Sequence, residues 1–136
     1  MRGTKQKSNS VRSDWVGVQF PFQHHGVSDY AGLLKTYREQ FHISQAQLVR
    51  LTGFSPRSVA KWAAGDTPSA KQERALVELD RLLVGLSRVM EPAQVARWLV
   101  QPNPAFDGST PMHVMERGEQ DRLWRMLYDI ESGQPG

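Results

Sequence analysis

The sequence predicts an all-α protein. After residue 28, apolar residues recur at spacings of three and four, which is the period of a buried helix face. No Val-, Ile-, Tyr- or Thr-rich stretch there alternates apolar with polar residues, as a half-buried strand does. Ser, Thr and Asp residues precede several of these periodic stretches, and Gly or Pro residues follow them, as expected at helix ends. We therefore expect a bundle of short helices followed by a second, small helical module.

Residues 1–28 are predicted to be a mobile basic arm with a short apolar anchor. The stretch RGTKQKSNS has too few apolar side chains to offset the entropy cost of ordering it. Further on, residues 15–20 read WVGVQF, in which Val and Phe alternate with other residues. This hexapeptide is interpreted either as a short strand or as an apolar anchor.

A first helix is expected after the arm, with Ser28 or Asp29 as its cap and an end near Gln40. Residues three and four apart predict its buried face. They are Leu33, Leu34, Tyr37 and Phe41.

Two short helices joined by a glycine turn are predicted next, in the stretch SQAQLVRLTGFSPRSVAKWAAG, residues 44–65. Ser44 and Ser55 are the expected caps, and Pro56 occupies a first helical position, where its missing N–H costs nothing. Gly53 makes the turn because glycine adopts positive φ at little cost. This arrangement is a helix-turn-helix. The residues of the second short helix expected to face inward are Val59, Ala60 and Trp62.

The same stretch contains three basic side chains and no Asp or Glu, which favours DNA binding. A carboxylate here would face phosphate charges spaced about 1.7 Å apart along the duplex axis. The N-terminal end of the second short helix is the end that enters a major groove in such motifs. The alternative is a structural helical hairpin with a solvated basic surface. The predicted DNA-binding residues are Gln45, Arg50, Ser55, Arg57, Ser58 and Lys61.

A long helix is predicted over residues 69–90, where Ser69 and Gln72 have the spacing of a capping box. Its apolar residues step by three and four in a stripe: Leu76, Leu79, Leu83, Leu86 and Met90. Such a stripe is either a core face that joins two subdomains or a contact with a second subunit, and two heptads do not decide between them.

The last third of the chain predicts short helices around a proline-rich loop. One helix is expected to begin at Pro92 and to stop at Pro102 and Pro104, and another to run from Thr110 to Gly118. A final helix follows. Its expected inward face is Leu123, Met126, Leu127 and Ile130.

Charge is unevenly distributed along the chain. The net charge is +3 in residues 1–28, +3 in residues 29–90 and −3 in residues 91–136. The basic residues 1–90 suit a polyanionic partner, whereas the acidic residues 91–136 do not. The alternative is that the charges are solvated surface groups whose uneven distribution arose by chance. We predict a basic arm (1–28), a helix-turn-helix domain (29–68) and a C-terminal domain (69–136) joined through the long helix.

No catalytic, metal or cofactor site is predicted. There is no cysteine, which excludes disulfides and thiolate ligands. His24 and His25 are adjacent and point apart on regular structure, whereas His42 and His113 lack a companion ligand at metal spacing. No Gly-rich phosphate loop and no run of ~18 apolar residues occurs. We expect a soluble, cytoplasmic protein that is not an enzyme and does not meet a membrane.

The stretch SQAQLVRLTGFSPRSVAKWAAGDTPS resembles the helix-turn-helix of Xre/Cro-type repressors. The matching features are Gln45, Gly53, Ser55, Trp62 and the exit at residues 65–68. The resemblance implies a reader of operator double-stranded DNA. Where that family often has Ala, this chain has a valine, residue 49, which affects packing more than function.

Residues 69–133 resemble the C-terminal toxin-binding domain of Xre/MbcA/ParS-type antitoxins. The matching elements, in order, are Trp98, Leu99, residues 102–104, Gly108, Pro111 and Gly133. The resemblance implies a RES-domain toxin as partner. In that family the toxin depletes NAD⁺, the antitoxin blocks its active site, and the complex represses its own operon. A homodimer within a hetero-oligomeric complex is expected, because helix-turn-helix dimers hold two DNA half-sites about 34–36 Å apart.

The residues predicted at or near the toxin surface are Trp98, Asn103, Phe106, Arg122 and Arg125. Aromatic and Arg side chains dominate interface energies, although Trp98 is equally compatible with a place in the core. Phe106 stands where the family usually has Leu. Two alternatives remain open: a stand-alone repressor whose C-terminal module dimerises or senses a ligand, and a protein inhibitor whose helix-turn-helix is vestigial.

Overall fold

Helices and the loops that join them make up residues 29–133, the part of the chain that the computed structural model describes. The α-helices are α1 (Tyr30–Phe41), α2 (Gln45–Thr52), α3 (Pro56–Ala63), α4 (Ala70–Ser87), α5 (Val95–Leu99), α6 (Pro111–Glu116) and α7 (Gln120–Glu131). Two 3-10 helices, Pro92–Gln94 and Pro104–Phe106, precede α5 and α6. The all-α prediction is confirmed for these residues. The predicted arm and its apolar anchor, residues 1–28, lie outside them.

Helix α1 packs on α3 and is tied to α4 by two tyrosines. The Tyr37 hydroxyl donates to the Asp80 carboxylate at 2.7 Å, and the Tyr30 hydroxyl donates to Glu73. Both pairs are 43 residues apart in sequence, so α1 and α4 run parallel. The predicted inward face of α1 is confirmed, since all four of its residues are buried.

The predicted helix-turn-helix is present in α2 and α3. Gly53 ends α2 with a φ of 79°, and the Ser55 hydroxyl accepts a hydrogen bond from the first turn of α3. Val59 and Trp62 are buried, whereas Ala60 is exposed, so its predicted inward position was wrong. A residue advances about 100° around a helix, which turns position 60 away from the face that positions 59 and 62 share.

The apolar stripe of α4 is part of the core. Its leucines at positions 76, 79, 83 and 86 are at most 3% exposed within the single chain, which excludes them as a subunit contact. The capping box of Ser69 and Gln72 is present. The helix ends at Ser87, three residues before the predicted end, and Met90 is half-buried beyond it.

Helix α7 lies beside α4 and runs parallel to it. Leu127 and Trp124 lie close to Gly85, and Glu131 pairs with Arg88 at 3.6 Å. The prediction that Ile130 faces inward was wrong, because it is 50% exposed. The last turn of α7, which contains Ile130, extends beyond the end of α4 at Ser87, so α4 does not cover Ile130.

One hydrophobic core runs from α1 to α7. Helix α2 packs on α6, and Arg50 of α2 makes two hydrogen bonds to Glu116 of α6, at 2.8 and 3.1 Å. The helix-turn-helix and the C-terminal helices therefore share apolar contacts across the boundary predicted at residue 68. Within residues 29–133, no helix is long and apolar enough to cross a membrane.

Candidate functional site

A groove of about 620 Å³ opens between the end of α4, α5, the proline-rich loop and α7. Four of the five residues predicted to contact a toxin line it, although they lie far apart in sequence: Trp98, Asn103, Arg122 and Arg125. Its other lining residues are Val89, Met90, Ala105, Met126, Asp129 and Ile130. The groove thus combines apolar walls with a few charged groups, a composition typical of binding sites.

The loop owes its shape to Asn103. Its side-chain oxygen accepts a hydrogen bond from the N–H of Ala105 at 2.9 Å, and its carbonyl accepts from Phe106 and Gly108. Its own N–H donates to the Ser109 carbonyl at 3.0 Å. These four bonds close the loop, so Asn103 both positions the loop and reaches the groove.

Phe106 does not lie at the surface, which corrects its predicted place. It is 1% exposed, because the 3-10 turn Pro104–Phe106 directs the ring into the core. The guanidinium carbon of Arg122 lies 5.7 Å from the centre of the ring, within the range of a cation–π contact. Phe106 therefore supports a groove residue from below.

Arg122 is held in place from several directions. Its guanidinium pairs with Glu119 at 3.1 Å and Asp107 at 3.4 Å while it lies over the Phe106 ring. The hydrogen bond from Arg122 lowers the pKa of Glu119, with further contributions from Arg117. Arg122 thus presents a fixed orientation, and the two carboxylates already balance much of its charge.

Arg125 is the more accessible cation of the groove. Its side chain is 71% exposed, and its ion pair with Asp121 spans 3.7 Å between two solvated groups. Such a pair contributes little stability and yields easily to another carboxylate. Arg125 is therefore available to a partner.

Trp98 lies between the core and the groove. It is partly buried and packs against the core, while its exposed part lines the groove. The sequence analysis assigned none of the other six lining residues to a binding site: Val89, Met90, Ala105, Met126, Asp129 and Ile130. For Met126 and Ile130, the signal in the sequence was the apolar stripe of α7, which continues one turn beyond the part of the helix that packs on the core.

The predicted DNA-binding residues fall into three groups. Gln45, Arg57 and Lys61 are exposed, and none of them makes an ion pair within residues 29–133. The hydroxyls of Ser55 and Ser58 are engaged in the cap: Ser55 accepts from the N–H of Ser58 at 3.1 Å and lies 3.2 Å from its hydroxyl. Three side chains on α2 and α3 are thus free to meet DNA.

Arg50 is occupied by the C-terminal half of the protein. Its hydrogen bonds to Glu116 raise the pKa of Arg50 and lower that of Glu116. Two of its guanidinium nitrogens are used in this pair. The geometry gives Arg50 a bridging role between α2 and α6.

No group of three or more His, Asp or Glu side chains in the described part of the chain is arranged to hold a metal ion.

Comparison with known proteins relates the groove to a domain family. Residues 85–133 match the antitoxin Xre/MbcA/ParS C-terminal toxin-binding domain. All groove-lining residues fall within that range. The match covers the end of α4 and everything that follows it in the described chain.

Relatives cover more of the chain. The mycobacterial cidal antitoxin MbcA of Mycobacterium tuberculosis and of Mycobacterium bovis is 26% identical over 109 residues, which are 79% of this chain and 96% of the relative. A chain in the crystal structure of the M. tuberculosis MbcT-MbcA toxin-antitoxin complex has the same fold, with a TM-score of 0.63 and 24% identity. That likeness covers 79% of this chain and 97% of the other. The homology is to a non-enzymatic regulatory protein. Residues 85–133 thus match the Xre/MbcA/ParS C-terminal toxin-binding domain, within a chain that is homologous to the MbcA antitoxins.

Proposed function

We propose that this chain is the antitoxin of a type II toxin-antitoxin system. It binds and blocks a RES-domain toxin that degrades NAD⁺, and it represses its own operon through its helix-turn-helix. The observation that carries the proposal is the groove, which gathers four of the predicted toxin-contact residues inside the toxin-binding domain match. The MbcA relative is found in a complex with the toxin MbcT, which supports a protein partner of the same kind.

The groove suits an apolar side chain of the toxin together with a carboxylate. Met126 and Ile130 of α7 and Trp98 of α5 supply apolar area that a partner can remove from water. Arg125 supplies a cation whose present partner, Asp121, is 75% exposed and easily replaced. The groove is already formed in the free chain, so little ordering opposes binding.

DNA binding is assigned to the N-terminal end of α3. Arg57 and Lys61 are exposed and lie one turn apart on α3. Gln45 is exposed and is the first residue of α2. Arg57 reaches guanine or phosphate, and Lys61 and Gln45 reach phosphate. The protein acts as a homodimer, since two copies are needed to occupy two half-sites of one operator.

Two variants separate the activities. Arg125→Ala combined with Ile130→Ser alters two exposed groove residues and leaves the core intact. We expect toxin affinity to fall at least about thirty-fold, because central Arg and apolar contacts carry most interface energy. Arg57→Ala is the reciprocal control, with operator affinity lowered and toxin binding unchanged.

The measurements are growth and NAD⁺ levels in cells that co-express the adjacent toxin gene, a pull-down of the two proteins, and an operator gel shift. Full protection by the groove variant contradicts the proposed toxin surface. Operator binding without capture of any adjacent gene product indicates the stand-alone repressor instead. Capture of toxin with no salt-dependent DNA binding indicates a vestigial helix-turn-helix.

A further inference from the structure

A second face of α7 carries two exposed aromatic residues. Trp124 and Tyr128 are one helical turn apart, 38% and 70% exposed. They lie about 200° around the helix from Met126 and Ile130, so they point away from the groove described above. Tyr128 is the most exposed of the large hydrophobic side chains in residues 29–133.

Beside this aromatic face lies a second groove, of about 340 Å³, between α2, α4, α6 and α7. Trp124 lines it, as do Glu78 and Gln120, and Gln120 lies one turn before Trp124 on α7. Its walls are apolar and come from Leu51, Leu79, Leu82 and Met115. Gln120 precedes Tyr128 by eight residues, about 12 Å along the helix, so Tyr128 does not fill the groove of its own chain.

The face is complementary to itself. A two-fold axis through Trp124 exchanges the positions of residues 120 and 128, which sets Tyr128 of each copy in the groove of the other. Because Trp124 lies close to Gly85 and lines the groove with Leu82, this axis crosses α4 between Leu82 and Gly85. The groove and the side chain that fits it therefore lie on one surface, as an isologous contact requires.

Charge supports the same pairing. The same axis exchanges the levels of residues 78 and 88 on α4, which brings Glu78 of one copy opposite Arg88 of the other. Both side chains are solvated in the single chain, Glu78 67% and Arg88 61% exposed, and their present ion pairs span 3.5 and 3.6 Å. A new pair of opposite charges at each end of the contact fixes its orientation.

We propose that this aromatic face is the homodimer interface, with Tyr128 of each copy seated in the groove at Gln120 and Glu78 of the other. The inference deepens the proposed function and rests on the homodimer in it. The leucine stripe of α4 is buried in the core, so the dimer contact lies elsewhere. The toxin groove stays open in such a dimer, because it faces the other side of α7.

The first test is the mass of the full chain in solution, by sedimentation equilibrium without toxin or DNA. We expect twice the chain mass of 15.4 kDa. Tyr128→Ser should weaken dimerisation by about thirty-fold or more, as for a central aromatic anchor. Ile130→Ser is the matched control: it truncates a similarly exposed apolar residue on the toxin side of α7 and should leave the dimer unchanged.

The second test uses cysteine pairs, since the natural chain has no cysteine. Gln120→Cys combined with Tyr128→Cys should form covalent dimers on oxidation, because residues about 12 Å apart on one helix cannot bridge within a chain. Asp121→Cys with Asp129→Cys has the same spacing on another face and should not.

A monomeric wild-type chain overturns the proposal, as does a Tyr128→Ser chain that dimerises like the wild type. A dimeric Tyr128→Ser chain that fails to capture toxin overturns it too and assigns the face to the toxin. The Arg125, Ile130 and Arg57 variants test toxin binding and operator binding independently of these results.

Discussion

Replacing Tyr37 by Phe isolates one hydrogen bond in the joint between the helix-turn-helix and α4. Tyr37 is fully buried, and its hydroxyl donates to Asp80 at 2.7 Å. The substitution keeps the ring and removes the donor, so a half-buried carboxylate loses its partner. Hydrogen bonds to charged groups contribute about 1.5–3 kcal/mol, and we expect the free energy of unfolding at neutral pH to fall by that amount.

The loss should depend on pH. Burial raises the pKa of Asp80 above its usual value, and the hydrogen bond from Tyr37 lowers it in part. A carboxyl whose pKa is raised on folding binds protons more readily in the folded state. Such a group stabilises the folded state fully at pH values below its pKa in the unfolded chain. This stabilisation is lost as the pH rises through the pKa of the group in the folded state. Protonated Asp80 needs the donor less, so the Tyr37→Phe loss should shrink towards about 1 kcal/mol in acid.

Urea denaturation at pH 7 and at a pH below the raised pKa measures both effects. Tyr128→Phe is the matched control, because it removes a hydroxyl from a tyrosine that is 70% exposed. Its free energy of unfolding should change by less than about 0.5 kcal/mol. Equal losses for Tyr37→Phe and Tyr128→Phe, or a Tyr37→Phe loss that grows in acid, would refute the reasoning.

Three further predictions concern single positions. Arg57→Ala should weaken operator binding by about 1–3 kcal/mol and relax base preference, whereas Arg50→Ala, whose side chain pairs with Glu116, should change affinity little in a footprinting titration. Gly53→Ala should lower the free energy of unfolding in urea by about 1 kcal/mol or more, because residue 53 has a φ of 79°, which alanine adopts with strain. No atom lies within 4 Å of the added Cβ, so no steric clash contributes, and Gly53→Asn should lower the free energy of unfolding less. Gly85→Leu should cost about 1–3 kcal/mol, because its Cβ alone would lie 3.1 Å from Leu127.

The helix boundaries were predictable because their causes are local. Ser44, Gly53 and Ser55 act on backbone groups within four residues, so the sequence displays cap and turn together. The antitoxin domain match also agrees with the resemblance seen in spaced residues such as Trp98 and Gly108.

The misplaced residues depend on contacts that are distant in sequence. Ile130 is exposed because α4 has ended beside it, and Phe106 is buried because a 3-10 turn directs it under Arg122. The partner of Arg50 lies 66 residues away. No periodicity encodes these distances, so sequence alone could not predict where these side chains lie or which residues they contact.

The single core makes the two proposed binding surfaces thermodynamically dependent on each other. Trp62 of α3 and Leu127 of α7 belong to one buried cluster, so global unfolding removes both surfaces together. A partner that binds only the folded groove, at a free concentration one hundred times its Kd, adds about 2.7 kcal/mol to the stability of the whole unit. Hydrogen exchange of the slowest amide protons in α3 would then become slower when a partner occupies the groove, although α3 does not line the groove. If the proposed function holds, toxin binding would thus stabilise the folded state of α2 and α3 even when it alters no contact with DNA.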